Sequence, residues 1–179
     1  SLNLNSFDNS NVLAMSNLFE RCSSLTSLDV SNFITSKVKY MSHMFQSCES
    51  LTSINLKNFN GKEVKSIEEM FNSCESLEKI EMFETSNKLI KMSGTFRDCV
   101  SLTSIDLSKI DSSNVEDMSY LFSNCDYLEN LQISNLRTSK VYDMSSMFQK
   151  CYMLTSIDLS NFDTSSVLSI RKMFQGCPQ

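Results

Sequence analysis

Long apolar runs are missing from this 179-residue chain, and none approaches 18 residues. A membrane-crossing helix needs about that length, so no membrane insertion is expected of this segment. Basic clusters are missing along the sequence as well. Lysine and arginine number 16 against 21 acidic residues, for a net charge of −5. The electrostatic footprint of a nucleic-acid binder is therefore absent, and no nucleic-acid partner is expected. No signal peptide is visible. There is one histidine, His43, so general acid–base chemistry has a single natural candidate. No C-x-x-C pair, glycine-rich nonapeptide or EF-type loop occurs, which removes the usual zinc and calcium frames. No cofactor is expected.

What is present is a period. The cysteines fall at Cys22, Cys48, Cys74, Cys99, Cys125, Cys151 and Cys177, in steps of 26, 26, 25, 26, 26 and 26 residues. Three residues before each stands a phenylalanine, from Phe19 to Phe174, and three after each of the first six stands a leucine, from Leu25 to Leu154. Self-similarity at this spacing marks a repeat architecture in which each unit contacts its neighbours. The consensus is C-x-x-L-T-S-I-D-L-S-N-F-D-T-S-x-V-x-x-M-S-x-M-F-x-x. One unit is irregular: repeat four is one residue short between Met82 and Leu89, and carries Gly94-Thr95 at positions where others have His43-Met44 or Ser146-Met147.

Two spacings alternate inside a repeat. Leu28 and Val30 are two apart, with Ser27 and Asp29 on the other face, which predicts a strand. Val38, Met41, Met44 and Phe45 follow i, i+3, i+6 and i+7, which predicts a short helix. Thr35 or Ser36 would cap it, and Phe33 would plug the turn between the two elements. Strands of successive repeats are expected to stack in parallel, six in full plus a partial one at Leu2–Leu4. The expected fold is an α/β solenoid of about seven 26-residue repeats. It is a right-handed superhelix with strands on the concave face and short helices on the convex face. Residues 1–179 read as one continuous solenoid. The sequence starts and stops in mid-repeat without polar caps, so it reads as part of a longer protein.

The strand pattern L-x-x-L-x-L is that of leucine-rich repeats. The stretches Leu102-Thr103-Ser104-Ile105-Asp106-Leu107-Ser108 and Asn161-Phe162-Asp163-Thr164-Ser165 resemble the BspA-like leucine-rich repeats of microbial surface proteins. The closest likeness is to their 25–26-residue variant in mycoplasma lipoproteins, gut bacteria and protists. The resemblance implies a cell-surface or extracellular location and a role in adhesion or host contact. It implies no shared catalytic site.

The candidate surface is the outward side of the strands: Ser27 and Asp29, Ser53 and Asn55, Lys79 and Glu81, Ser104 and Asp106, Asn130 and Gln132, Ser156 and Asp158. Asp29, Asn55, Glu81, Asp106, Gln132 and Asp158 form one column, in which the two amides relieve carboxylate repulsion. No aromatic residue lies on this face, which disfavours sugar stacking and favours a protein ligand from a host or its extracellular matrix. Charge concentrates near it, with 12 charged side chains in residues 61–91. The cysteine column reads as small buried hydrophobes. His43 and Cys48 could form a nucleophile pair only if Cys48 left that column, so no enzyme is expected. The expected function is a non-enzymatic adhesion or binding surface. The alternative is a spacer holding another domain away from the cell envelope. Uncapped ends predict end-to-end self-association.

Overall fold

The computed structural model describes residues 2, 4 and 6–178. The period of the sequence becomes a stack of layers. Parallel bridges run through one position per repeat, joining Ala14, Tyr40, Ser66, Lys91, Asp117, Asp143 and Ser169 in order. The strands are short: β1 (Ser53–Asn55), β2 (Asn60–Gly61), β3 (Lys79–Glu81), β4 (Glu84–Thr85), β5 (Ser104–Asp106) and β6 (Asn130–Gln132). All pair in parallel, β1 with β3, β2 with β4 and β5 with β6. Ile54 stands opposite Ile80, and Ile105 opposite Leu131. The expected continuous sheet is thus two bonded pairs, with no ladder between β3 and β5 among the described residues. The partial strand expected at Leu2–Leu4 includes Asn3, which lies outside the described residues.

The repeated apolar columns form the core. Phe45, Phe71, Phe96, Phe122 and Phe148 are fully buried. Their rings join those of Phe19 and Phe174 in one stack, with neighbouring centroids 5.3 to 5.9 Å apart. That spacing suits offset aromatic pairs. A second stack runs through Phe7, Phe33, Phe59 and Phe83. Each ring lies on the same ring of the next layer, so one residue type repeated every 26 positions fills the interior without a shape mismatch.

The expected helices do not form: the described residues contain no α-helix. The segment 41–48 is instead a chain of turns. Met44, Gln46 and Cys48 donate their N–H groups to the carbonyls of Met41, His43 and Phe45 within the layer. The alternate residues Met41, His43, Phe45 and Ser47 donate to Ser66, Glu68, Met70 and Asn72 of the next layer, at 2.8 to 3.0 Å. Every N–H from His43 to Cys48 is therefore satisfied. His43 and Ser47 have φ of 58° and 57°, the left-handed value that ends a helix. The pair recurs at Asn17 and Arg21, Glu69 and Ser73, Gly94 and Asp98, Tyr120 and Asn124, Ser146 and Lys150, and Lys172 and Gly176. An α-helix would spend its N–H groups inside the layer. The turn chain spends half of them on the neighbour, and that gain offsets a left-handed cost of about 1–2 kcal/mol per residue.

The cysteine column does more than fill space. Each thiol from Cys48 to Cys177 donates to the carbonyl of the phenylalanine 28 or 29 positions earlier, at 3.0 to 3.2 Å. All seven cysteines are free. Burial pushes the Cys48 thiol up to about 11 and the Cys151 thiol up to about 12, and raises Cys74, Cys99 and Cys125 further. The protonated form that the hydrogen bond needs is therefore the form present.

A hydroxyl column clasps the layers at the opposite corner. Thr138 Oγ1 accepts from Asp163 N at 2.8 Å and donates to Asp163 O at 2.9 Å. Ser112 holds Arg137 in the same way, and Thr35 holds Asn60. Gly61 takes this position in the third layer, and there β2 and β4 pair directly. The short repeat explains the exchange. Two residues separate Leu56 from Phe59, but Met82 and Phe83 are adjacent. One extra residue before Leu89 restores part of the length. The tightened chain crowds Gly61, where a Cβ would strike the Glu84 carbonyl and come within 2.6 Å of the Phe83 ring. In the same repeat, Gly94 takes a left-handed position, with φ of 58°. Thr95 replaces a methionine and is fully buried, its hydroxyl 2.7 Å from Met92 O.

Candidate interaction surface

All twelve candidate residues, Ser27, Asp29, Ser53, Asn55, Lys79, Glu81, Ser104, Asp106, Asn130, Gln132, Ser156 and Asp158, are exposed, but the strands expected at residues 28–30 and 156–158 do not form, so Ser27, Asp29, Ser156 and Asp158 lie outside any strand. All but Ser104 and Asp106 line two shallow grooves. One, of about 450 Å³, runs over Asp29, β1 and β3. The other, of about 590 Å³, runs over β6 and residues 156–158. Half-buried Leu28 and Ile80 give the first groove an apolar floor, as Leu131 and Ile157 do in the second.

The acidic column separates into two kinds of residue. Asp29 Oδ1 accepts the N–H of Ser31 at 2.9 Å, Asp106 that of Ser108 at 2.8 Å, and Asp158 that of Ser160 at 2.9 Å. Asn55 does the same with Lys57 at 3.0 Å. These are Asx turns, in which the short side chain stands in for a backbone carbonyl. The Ser31 hydroxyl and N–H hold the Asp29 carboxyl below its usual range. The N–H and hydroxyl of Ser108 and of Ser160 do the same for Asp106 and Asp158. Glu81 and Gln132 are one carbon longer and make no such bond among the described residues. Four of the six column members therefore turn the chain, Asn55 and Asp106 at the ends of β1 and β5. Lys79, Glu81, Asn130 and Gln132 keep their polar heads available.

His43 and Cys48 are not brought together. His43 Nδ1 lies 2.9 Å from Gln46 Oε1 and 3.5 Å from Glu69 Oε2, whereas the Cys48 thiol faces Phe19 O. Among the described residues, no three His, Cys, Asp or Glu side chains converge as metal ligands do, and no helix is long and apolar enough to cross a membrane.

Reading along the chain missed one cluster. Lys39, Lys65, Lys88 and Lys140 line a single groove of about 470 Å³ with Glu63 and Glu116. Lys88 pairs with Glu63 at 2.5 Å. That bond, with Lys39 and Lys65 nearby, lowers the Glu63 carboxyl. The signal was present as columns rather than runs: Lys39 and Lys65 are 26 apart, and Lys88 and Lys140 are 52 apart.

The comparisons with known proteins bear on the whole chain. The model of a family described as "Mycoplasma protein of unknown function, DUF285" matches residues 1–104 and 90–179. A leucine-rich repeat protein from Eubacterium ventriosum ATCC 27560 is similar in structure, with a TM-score of 0.48 and 17% sequence identity. That alignment covers 79% of this chain and 41% of the other, so the chain spans less than half of that protein. No curated protein matches.

Proposed function

The chain belongs to the DUF285 family of mycoplasma proteins of unknown function, and from that premise we propose that it is a non-enzymatic binding module of a microbial cell-surface protein. Its leucine-rich-repeat layers present the strand face to a protein ligand from a host or its extracellular matrix, and the role is adhesion. One observation carries the reading. On the β1–β3 pair, Lys79 and Glu81 hold two free heads of opposite charge at the rim of a groove floored by Ile54 and Ile80. A polar rim over an apolar floor is the anatomy of a protein interface. Fixed opposite charges beside it favour one orientation of a partner over others.

The test is a binding screen of this chain against host-surface and extracellular-matrix proteins, beside a chain carrying Lys79→Glu and Glu81→Lys. This swap leaves the Asx turns and the core intact, whereas alanine at Asp29, Asp106 or Asp158 would also undo a turn. A partner that binds the parent and loses about tenfold or more in affinity for the swapped chain is the expected result. A partner that binds both chains equally would move the site off this face. The absence of any partner would favour a spacer.

A further inference from the structure

One side of the stack carries a basic edge that the strand face does not share. Val38, Val64, Leu89, Val115 and Val141 form a buried column, and the residues before and after each of them are exposed or half-buried. Backbone bonds fix the layout of the positions that follow the column. Lys65 N donates to Lys39 O at 2.7 Å, Ile90 N to Lys65 O at 2.9 Å and Glu116 N to Ile90 O at 3.2 Å. Lys39 and Lys65 therefore sit in neighbouring layers, about 4.8 Å apart along the stack. The positions that precede the column carry Lys88 and Lys140, two repeats apart. These four lysines line one groove with two glutamates, in a chain of net charge −5.

The four lysines differ in what they touch. Lys88 is paired with Glu63. Lys140 donates to the side-chain oxygen of Asn114, a neutral acceptor, so its charge stays uncompensated. Lys39 and Lys65 make no side-chain bond among the described residues and act on Glu63 only from a distance. Like charges held opposite each other on neighbouring chains are destabilising. The repeat does not require them, because the next layers place Ile90 and Glu116 at the same position. Glu116 and Asn87 line the same groove, are exposed, and make no side-chain bond among the described residues. The groove thus sets three uncompensated cations beside two free acceptors.

We infer that this groove binds a sulfated polysaccharide chain, at a site separate from the strand face. Sulfate groups would lie on the ammonium heads of Lys39, Lys65 and Lys140 and relieve the repulsion between the first two. Ammonium groups are point charges with rotatable donors, which suits anions on a flexible chain. Lysines in neighbouring layers call for anionic groups on neighbouring sugars. A heavily sulfated chain carries them, whereas an unsulfated uronate chain is charged only on alternate sugars. Glu116 and Asn87 would accept hydroxyl donors of the sugar rings, which an acidic peptide made of carboxylates lacks. No aromatic ring lines the groove, so it has no platform for the successive bases of a nucleic-acid strand. Its concave form admits a chain rather than a flat bilayer.

The chain is titrated calorimetrically with three polyanions of similar length: a heparin oligosaccharide, hyaluronan and polyglutamate. Heparin should bind with an affinity that falls as salt rises, and the other two should bind at least about tenfold more weakly. Replacing both free lysines, Lys39→Gln with Lys65→Gln, should cost heparin about tenfold or more in affinity. Glu116→Ala should weaken heparin by about threefold, since a sugar hydroxyl loses its acceptor. A site that reads charge alone would bind tighter after that change. Far-UV circular dichroism checks that each variant keeps the parent fold. The chain carrying Lys79→Glu and Glu81→Lys should bind heparin as the parent does, which keeps the outcome independent of the strand-face reading. No heparin binding, equal binding of hyaluronan or polyglutamate, or a double-glutamine chain that binds like the parent would each overturn the inference. So would a Glu116→Ala chain that binds as well or tighter, or a loss of heparin binding in the strand-face swap.

Discussion

A single side chain in this fold does two tasks when its position repeats. Cysteine suits the buried corner because it is small and apolar, and its weak S–H donor also meets a phenylalanine carbonyl one layer back. The sequence made the first task legible, since a column of one residue type at 26-residue spacing has to be buried against itself. It hid the second, because the carbonyl belongs to the backbone of another repeat. The two tasks predict one chemical behaviour. Cys22 is exposed, whereas Cys48, Cys74, Cys99, Cys125 and Cys151 are buried, and burial holds those thiols in the unreactive protonated form. Titration with a thiol-specific chromophoric disulfide in native buffer should label Cys22 first, then Cys177 more slowly, and leave those five unlabelled until the chain unfolds. Rapid native labelling of all seven would show that the column is open. The strand-face aspartates carry the same lesson in a different form. They lie on the exposed face, as expected, but Asp29, Asp106 and Asp158 hold turns there, whereas the polar heads of Lys79, Glu81, Asn130 and Gln132 make no such bond among the described residues.

At the scale of elements, the strand reading held at β1, β3, β5 and β6 and the helix reading did not. Apolar residues at Met41, Met44, Phe45 and Cys48 satisfy two geometries over so short a segment. Steps of three suit one face of a helix, and they also suit turns closed every third residue. What distinguishes them is the residue at the left-handed positions. Asn17, Ser47, Ser73, Gly94, Asp98, Asn124, Ser146 and Gly176 are residue types that tolerate positive φ or favour turns over helix. Those positions were readable, but they alternate with Arg21, His43, Glu69, Tyr120, Lys150 and Lys172, which blur them. The two geometries predict opposite signs for one substitution. Lys150 has φ of 59° and is exposed. Lys150→Gly should raise stability by about 0.5–1 kcal/mol in chemical denaturation, because glycine relieves the left-handed conformation at a smaller entropic cost. In a helix the same change would lower stability by about 1 kcal/mol. The irregular repeat was legible as a length deficit between Met82 and Leu89. Its consequence, a glycine at position 61 pressed against the Phe83 ring, was not, because the deficit and the glycine lie in different repeats.

For the whole molecule, stability is a sum over layer interfaces. The layers are joined chiefly by the turn-chain ladder, the phenylalanine stacks, the thiol column and the hydroxyl clasps, with β2–β4 pairing in place of the clasp at Gly61. The strand face contributes least, with its two bonded pairs separated between β3 and β5. That division leaves two grooves rather than one uniform sheet, and it sets Lys79 and Glu81 beside the discontinuity. The family of the chain was legible from its repeat and is met by a family model over both halves. The lysine groove was not legible, because proximity in a stack is counted in repeats and not in residues. The central claim is that alternating left-handed turns, not helices, join the layers. Nuclear magnetic resonance tests it directly through the strength of the cross-peak between each residue's own amide and α protons. The account predicts strong intraresidue cross-peaks, the mark of positive φ, at His43 and Ser47, Glu69 and Ser73, and Tyr120 and Asn124, always four residues apart. Weak cross-peaks there, with unbroken helical chemical shifts across residues 38–48 and their counterparts, would contradict it.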